Sequence, residues 1–252
     1  MTFPRPLICI AVALMASAAY AQDKGMPVHE WGYGGKLGPQ HWGALKSEYA
    51  SCAKGKTQSP IDIRNAVPSE LAPIEFDYHA TSLRIVDNGH TIQVSYGPGS
   101  SITVAGRRYE LVQFHFHRPS EERINGKSYP MVAHLVHRNG EGALAVVAVL
   151  LKQGAQNQTL ETLWANLPDE KEMEHVMQAV QINAADLLPR AHGYYTFAGS
   201  LTTPPCSEGV TWFVLTMPVD VSQGEIARFG KIYSSNARPV QPLNGRIVKV
   251  SK

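Results

Sequence analysis

Leu111-Val112-Gln113-Phe114-His115-Phe116-His117 is the stretch that settles what kind of chain this is. Successive side chains of a strand point to opposite faces, so Gln113, His115 and His117 share one face and Phe114 and Phe116 the other. The phenylalanines read as core. The two imidazoles, about 7 Å apart at their Cα atoms, can converge on one metal ion. A third ligand can come from Met131-Val132-Ala133-His134-Leu135-Val136-His137, another apolar run of strand character. His134 and His137 differ in parity, so only one of them joins the pair. His134 is the candidate, and His137 reads as a hydrogen-bonded core histidine. Three histidines fill three of zinc's four tetrahedral positions and leave the fourth open for water, as catalytic sites require. His-x-His alone is a weak signal, because ordinary buried or surface histidines are common.

Outward from this stretch the chain is β-rich. Residues 82–86 and 90–96 read as strands flanking the turn signal Asp87-Asn88-Gly89. Residues 109–117, 131–137, 143–152 and 210–217 are further strands. Helices are expected at 159–167 and 170–180. A third should open at the capping-box pattern Ser222-Gln223-Gly224-Glu225 and run towards Tyr233. The segment from Trp31 to Trp42, rich in glycine and aromatics, looks irregular. The 17 prolines and 21 glycines are spread along the whole chain, with no repeat or linker, which favours a single domain of many short segments.

Lys and Arg total 23 against 21 Asp and Glu, interspersed, so there is no electrostatic footprint for nucleic acid or an anionic membrane. Arg5 followed by the apolar run 7–19 and Ala19-Tyr20-Ala21 fits a cleaved export signal, with the mature chain beginning at Gln22. That run is shorter than the about 20 residues a membrane span needs. The expectation is a signal peptide at 1–21, one domain at 22–252, and a periplasmic or secreted product. Cys9 falls within the signal. Cys52 and Cys206 remain, and in an oxidising compartment they are either a disulfide or two separate thiols.

Gln113-Phe114-His115-Phe116-His117, then Pro119-Ser120-Glu121, then Ala133-His134-Leu135-Val136-His137 resembles the metal-binding region of alpha carbonic anhydrases. The resemblance runs through the mature chain. It includes Trp31-Gly32-Tyr33-Gly34, Gly38-Pro39-Gln40-His41-Trp42, Gln58-Ser59-Pro60-Ile61-Asp62-Ile63 and Asn88-Gly89-His90. It continues with Gly199-Ser200-Leu201-Thr202-Thr203-Pro204-Pro205-Cys206, Val210-Thr211-Trp212 and Asn236-Ala237-Arg238-Pro239-Val240-Gln241-Pro242. The implied fold is predominantly β (α+β). One large twisted, mostly antiparallel central sheet carries short surface helices, with zinc at the bottom of a conical cleft.

The resemblance implies that His115, His117 and His134 bind Zn2+, and that a zinc-bound hydroxide attacks carbon dioxide to give bicarbonate and a proton. Thr202 would accept a hydrogen bond from the hydroxide and donate its own proton to Glu121, an acceptor-only carboxylate. Glu121, rather than its neighbour Glu122, follows Pro119-Ser120 as the family pattern does. Thr203 would contact bicarbonate, or serve as a turn residue. Val136, Val146, Leu201, Val210 and Trp212 would line the apolar carbon dioxide pocket. His90 would shuttle the proton, with Tyr33, Asn88 and Gln93 organising the intervening water. Gln113 would hold His115, and the backbone carbonyl of Asn236 would hold His117. Cys52 and Cys206 would form the disulfide seen in exported members, bracing the loop that carries Thr202. Exported bacterial members often dimerise, so a homodimer is the macromolecular partner in view, and weak esterase activity is an expected side reaction.

One position departs from the family pattern. Many members place a glutamate two residues before the third ligand, and here that position is Val132. Valine cannot accept a hydrogen bond from His134, so water or backbone is expected to take over. Without any acceptor, zinc affinity or activity would drop about 10–100-fold. On that reasoning Val132→Glu should raise zinc affinity. Among rival readings, a non-enzymatic binding module would have lost ligands, and a zinc-storage protein would expose them. A zinc protease would carry an H-E-x-x-H helix, which is missing from the sequence.

Overall fold

The computed structural model describes residues 30–252. The expected signal peptide and the start of the mature chain lie outside the described residues. Among the described residues, no helix is long and apolar enough to cross a membrane.

A 13-stranded twisted sheet forms the body of the fold. Its main path runs His175–Ile182, Thr81–Asp87, Ile92–Ser95, Arg107–His117, Met131–Arg138, Leu144–Gln153, Glu208–Leu215, Tyr194–Ser200, Lys249–Ser251 and Val67–Ser69. Pairing is antiparallel except between Leu144–Gln153 and Glu208–Leu215, between Leu144–Gln153 and Val219–Val221, and between Lys249–Ser251 and Val67–Ser69. Every strand expected at the centre is present with ends shifted by a residue or two, the usual uncertainty of boundaries.

Alternation along the central strands sorts their side chains onto two faces. Phe114, Phe116, Ala133, Leu135, Val147, Val149 and Phe213 enter the larger core, together with Leu160, Trp164 and Phe229 from the helices. Val132, Val146, Ala148, Leu150, Val210, Trp212 and Val214 form a second core on the opposite face. That opposite face also carries the histidines. In register across four strands, Gln93 lies opposite His115, His115 opposite His134, and His134 opposite Ala148. One step along, Val136 meets Val146, which meets Trp212. His137, of opposite parity to His134, is fully buried with its Nε2 2.7 Å from the Tyr78 hydroxyl.

Two of the expected helices form. Gln158–Ala165 is capped by Asn157, whose side chain accepts from the N–H groups of Thr159 and Leu160. Gln223–Ile232 opens with the full capping box of Ser222 and Glu225. Glu225 is buried and also accepts from the Asn157 N–H, so one carboxylate ties both helix starts together.

The helix expected at 170–180 is instead an edge strand, His175–Ile182, paired with Thr81–Asp87. The register shifts between Met177 and Gln181, so a bulge interrupts the strand. Its partly or fully buried residues are therefore His175, Met177, Val180 and Ile182. A two-residue alternation broken by one three-residue step reads as helical spacing in a sequence.

Candidate metal centre and active site

Sheet register brings three histidines to one point. One nitrogen each from His115, His117 and His134 lies within 4.8 Å of the others. Their ring centroids are 5.0 Å, 5.5 Å and 4.7 Å apart for the pairs 115–117, 115–134 and 117–134. His117 and His134 are buried, and His115 is the partly exposed member.

Each imidazole has a partner on its outer nitrogen. Gln113 Oε1 lies 2.8 Å from His115 Nδ1. The Asn236 carbonyl oxygen lies 2.8 Å from His117 Nδ1. These contacts turn Nε2 of both rings inward. For His134 the outer nitrogen is Nε2, which faces Glu122 with Oε1 at 3.1 Å and Oε2 at 3.2 Å. Its Nδ1 is therefore the inward atom. A hydrogen bond on one ring nitrogen fixes the tautomer and leaves the other nitrogen's lone pair available as a ligand.

The residues fit a metal ion. His117 Nε2 is a buried nitrogen without a hydrogen-bond partner, a costly state for a polar atom that a ligated cation removes. Three imidazoles suit zinc, which in catalytic sites takes three protein ligands and one further, non-protein ligand. Burial pulls the His115 imidazole down to about 3 and lowers His117 well below its ordinary value, with repulsion from neighbouring imidazoles adding to the effect. Both are thus neutral, the form that binds metal. Burial also pulls on His134, but the charge and hydrogen bond of Glu122, with help from Glu121, outweigh it and raise that pKa. A carboxylate behind a ligating imidazole makes it a more basic ligand.

The acceptor behind His134 corrects the expectation of water or backbone. It is the Glu122 side chain, which is fully buried. The family resemblance gives a role to Glu121 and none to its neighbour Glu122. Two signals point to it: a pair of adjacent glutamates just beyond the histidine strand, and a valine where a carboxylate would otherwise stand.

Glu121 occupies the other side of the same ring. It is 2% exposed, and its Oε1 accepts from the Arg238 backbone N–H at 2.7 Å. Its Oε2 lies 3.5 Å from His117 Nε2 and 3.8 Å from His134 Nδ1. Burial pushes its carboxyl up to about 7; the charge of His134, the Arg238 backbone N–H and the polar side chain of Thr202 act in the opposite sense. Thr202, 5% exposed, is among the groups that act on the Glu121 carboxyl.

Arg238 was not singled out from the sequence. Besides its backbone contact to Glu121, its guanidinium donates to the Ser59 and Cys52 carbonyls at 2.7 Å and 2.9 Å. It ties Glu121 to the N-terminal segment. Cys52 and Cys206 form a disulfide with Cα atoms 5.0 Å apart, packed beside the fully buried Trp42. The Cys206 N–H donates to the Thr203 carbonyl and the Leu201 N–H to the Ser207 carbonyl. The Thr202 loop is therefore pinned at both ends.

The expected pocket residues come together. Val146, Val210 and Trp212 belong to the second core, with Val136 and Leu201 packed against it. The Trp212 ring meets His134 edge-on, with centroids 4.9 Å apart. Trp212 Nε1 donates to the Ser200 carbonyl, which fixes the indole at the base of the Thr202 loop.

His90 sits in the turn after Asn88, whose Oδ1 accepts from the His90 and Thr91 N–H groups. The turn needs Gly89 at φ 80°, a conformation open to glycine. Asn236 Nδ2 donates to both the His90 and Phe116 carbonyls, joining this turn to the ligand strand. The His90 ring stacks on Trp31 at 3.6 Å between centroids. Asn88 Nδ2 is 3.5 Å from Gln93 Oε1. Tyr33 stands edge-on to Trp31, and burial together with the charge of Glu121 holds its hydroxyl well above the usual phenol range.

A family model for eukaryotic-type carbonic anhydrase matches residues 37–252. The chain belongs to the alpha carbonic anhydrase family. A carbonic anhydrase of Pectobacterium carotovorum is 43% identical over 241 residues, covering 95% of this chain and 98% of the relative. A hyperthermostable carbonic anhydrase identified from an active hydrothermal vent chimney has a solved structure that is 50% identical. It superposes with a TM-score of 0.85, covering 88% of this chain and 100% of that one. The alpha carbonic anhydrase of Thermovibrio ammonificans, solved with the inhibitor sulfanilamide, is 46% identical with a TM-score of 0.84, covering 88% and 98%. The family match, residues 37–252, takes in the sheet, both cores and the positions of His115, His117 and His134.

Proposed function

We propose that the chain catalyses the reversible hydration of carbon dioxide to bicarbonate and a proton at a zinc ion held by His115, His117 and His134. The observation that carries this reading is the convergence of one nitrogen from each of three imidazoles within 4.8 Å, each ring backed by a hydrogen-bond acceptor. In carbonic anhydrases, the standard example of catalytic zinc on three histidines, the metal supplies the Lewis acidity that lowers the pKa of its water to about 7.

The chain's own residues orient the reaction. A carboxylate accepts only, so Thr202 donates its proton to Glu121 and keeps its oxygen lone pairs for the attacking water or hydroxide. That fixes the direction of one hydrogen-bond chain and aims the nucleophile. The carboxylate must be ionised for this, and His134 and the Arg238 N–H favour ionisation against the effect of burial. Carbon dioxide is apolar, and the wall of Val136, Val146, Leu201, Val210 and Trp212 offers it a dry surface beside His134. Thr203, next in the loop, contacts bicarbonate in this reading. His90 takes the released proton, with Tyr33, Asn88 and Gln93 ordering the water between. Gln113 and the Asn236 carbonyl hold the His115 and His117 tautomers. The buried disulfide supports an exported protein, with residues 1–21 removed as a signal peptide and the product periplasmic or secreted. Weak hydrolysis of activated esters is an expected side reaction of the same nucleophile.

Stopped-flow hydration with Thr202→Ala and Glu121→Gln tests this arrangement. Each change should lower kcat/KM by about 100-fold, since each breaks the same orienting chain. The double variant should be little worse than either single one. Activity within threefold of the parent in both singles would reject the assigned roles.

A further inference from the structure

We propose that Glu122 is the positioning residue for the third ligand, His134, and that it does from an adjacent loop what the residue at 132 cannot do from the ligand's own strand. The inference rests on the reading of His134 as a zinc ligand. Val132 shares a face with His134, is fully buried, and lies among apolar neighbours that include Val146, Leu150 and Ile63. It offers no acceptor. Both oxygens of Glu122 instead face His134 Nε2, at 3.1 Å and 3.2 Å. Oε1 has no hydrogen-bond partner elsewhere, so the carboxylate is committed to this ring.

The backbone around Glu122 is held for the purpose. The Ser120 hydroxyl donates to the Glu122 carbonyl and accepts from the Tyr129 N–H, both at 2.8 Å. The Ser120 N–H donates to the Tyr129 carbonyl. On the other side, Arg123 pairs with Asp62 in a short parallel ladder, and its N–H donates to the Ile61 carbonyl. Glu121 and Glu122 therefore cannot exchange roles by local rotation. Glu121 reaches the inner nitrogen side of the imidazole, while Glu122 grips the outer nitrogen. The hydrogen bond to the ring comes from Glu122 alone, because Glu121 Oε2 stands 3.8 Å from Nδ1, beyond hydrogen-bond reach.

This arrangement reverses the expectation for Val132→Glu. The site already holds its carboxylate, so a second one at 132 adds an unpaired buried charge and should weaken zinc binding. What should succeed is an exchange of the two side chains, Glu122→Val with Val132→Glu, which keeps the side-chain inventory and returns one acceptor to His134.

The test measures zinc affinity by chelator competition and the absorption spectrum of the cobalt-loaded protein, for the parent, Glu122→Val, Val132→Glu and the exchanged pair. Thermal melting of each metal-free protein reports on folding. Glu122→Val should weaken zinc binding by about 10–100-fold and change the cobalt spectrum. The exchanged pair should recover most of the affinity and the parental spectrum. Unchanged affinity in Glu122→Val overturns the proposal. So does a folded exchanged pair that binds no better than Glu122→Val, because a purely structural Glu122 would not be rescued by a carboxylate at 132. His134→Ala that binds zinc as tightly as the parent would instead strike the underlying ligand assignment.

Discussion

Replacing both half-cystines, Cys52→Ala with Cys206→Ala, should cost the protein much of its thermal margin. The bond joins residues 154 apart in sequence. In the chain-entropy model a loop of that length restricts the unfolded state by roughly 5 kcal/mol, and measured disulfides usually give about 2–5 kcal/mol. For a domain of this size each kcal/mol moves Tm by about 2–4 °C. The expected fall is therefore about 5–20 °C. Other anchors of the same region persist. Arg238 still binds the Cys52 and Ser59 carbonyls, and the Cys206 N–H still donates to the Thr203 carbonyl. Carbon dioxide hydration at 25 °C should therefore survive a change that clearly lowers Tm. Differential scanning calorimetry, with and without reductant, reads both arms. The parent should fall towards the variant when reduced, and the variant should ignore the reductant. A Tm shift under 2 °C, or a variant that reductant destabilises further, would refute the reasoning.

Three other outcomes are expected. Burial holds the His137 imidazole down at about 3, against about 6.5 when unfolded, so below pH 6.5 the unfolded chain takes a proton that the folded chain refuses. Stability should therefore be lost as pH falls from 6.5 towards 3, by about 1.4 kcal/mol per pH unit from this group, and none of that loss belongs above 6.5. Urea unfolding from pH 7 to 5 should give His137→Gln a shallower slope than the parent; equal slopes would remove His137 as a cause. His90→Ala should slow hydration about 10-fold or more in weak buffer and recover with added imidazole, and a failure of imidazole to help would reject a shuttle at this position. Val146→Phe, which fills the wall opposite Val136 and Trp212, should depress kcat/KM while leaving zinc content unchanged; full activity would mean that carbon dioxide does not bind there.

Much of this was legible because strands encode their faces directly. The parity of Gln113, His115 and His117 predicts one shared face, and the opposite parity of His134 and His137 separates ligand from core histidine. Asn88-Gly89 and Ser222-Gln223-Gly224-Glu225 announce a turn and a helix start by local chemistry alone. Legibility failed where a residue's role depends on a partner distant in sequence. Glu122 is one of two adjacent glutamates until the fold brings the Met131–Arg138 strand against it. Arg238 is a lone arginine until Ser59, Cys52 and Glu121 gather round it. The 170–180 segment misleads for a different reason: a bulge in an edge strand spaces Met177 and Val180 three apart, which imitates a helix. Its strand identity comes from pairing with Thr81–Asp87, a tertiary fact.

The central claim is that three histidines hold a zinc ion that hydrates carbon dioxide, and one paired measurement tests it most directly. Zinc content and stopped-flow hydration should be determined on the same preparation of the mature chain and of His117→Ala. About one zinc per chain with rapid hydration, both lost together in His117→Ala, is the predicted result. Full zinc occupancy with no hydration, or hydration that survives in a zinc-free His117→Ala protein, would contradict it.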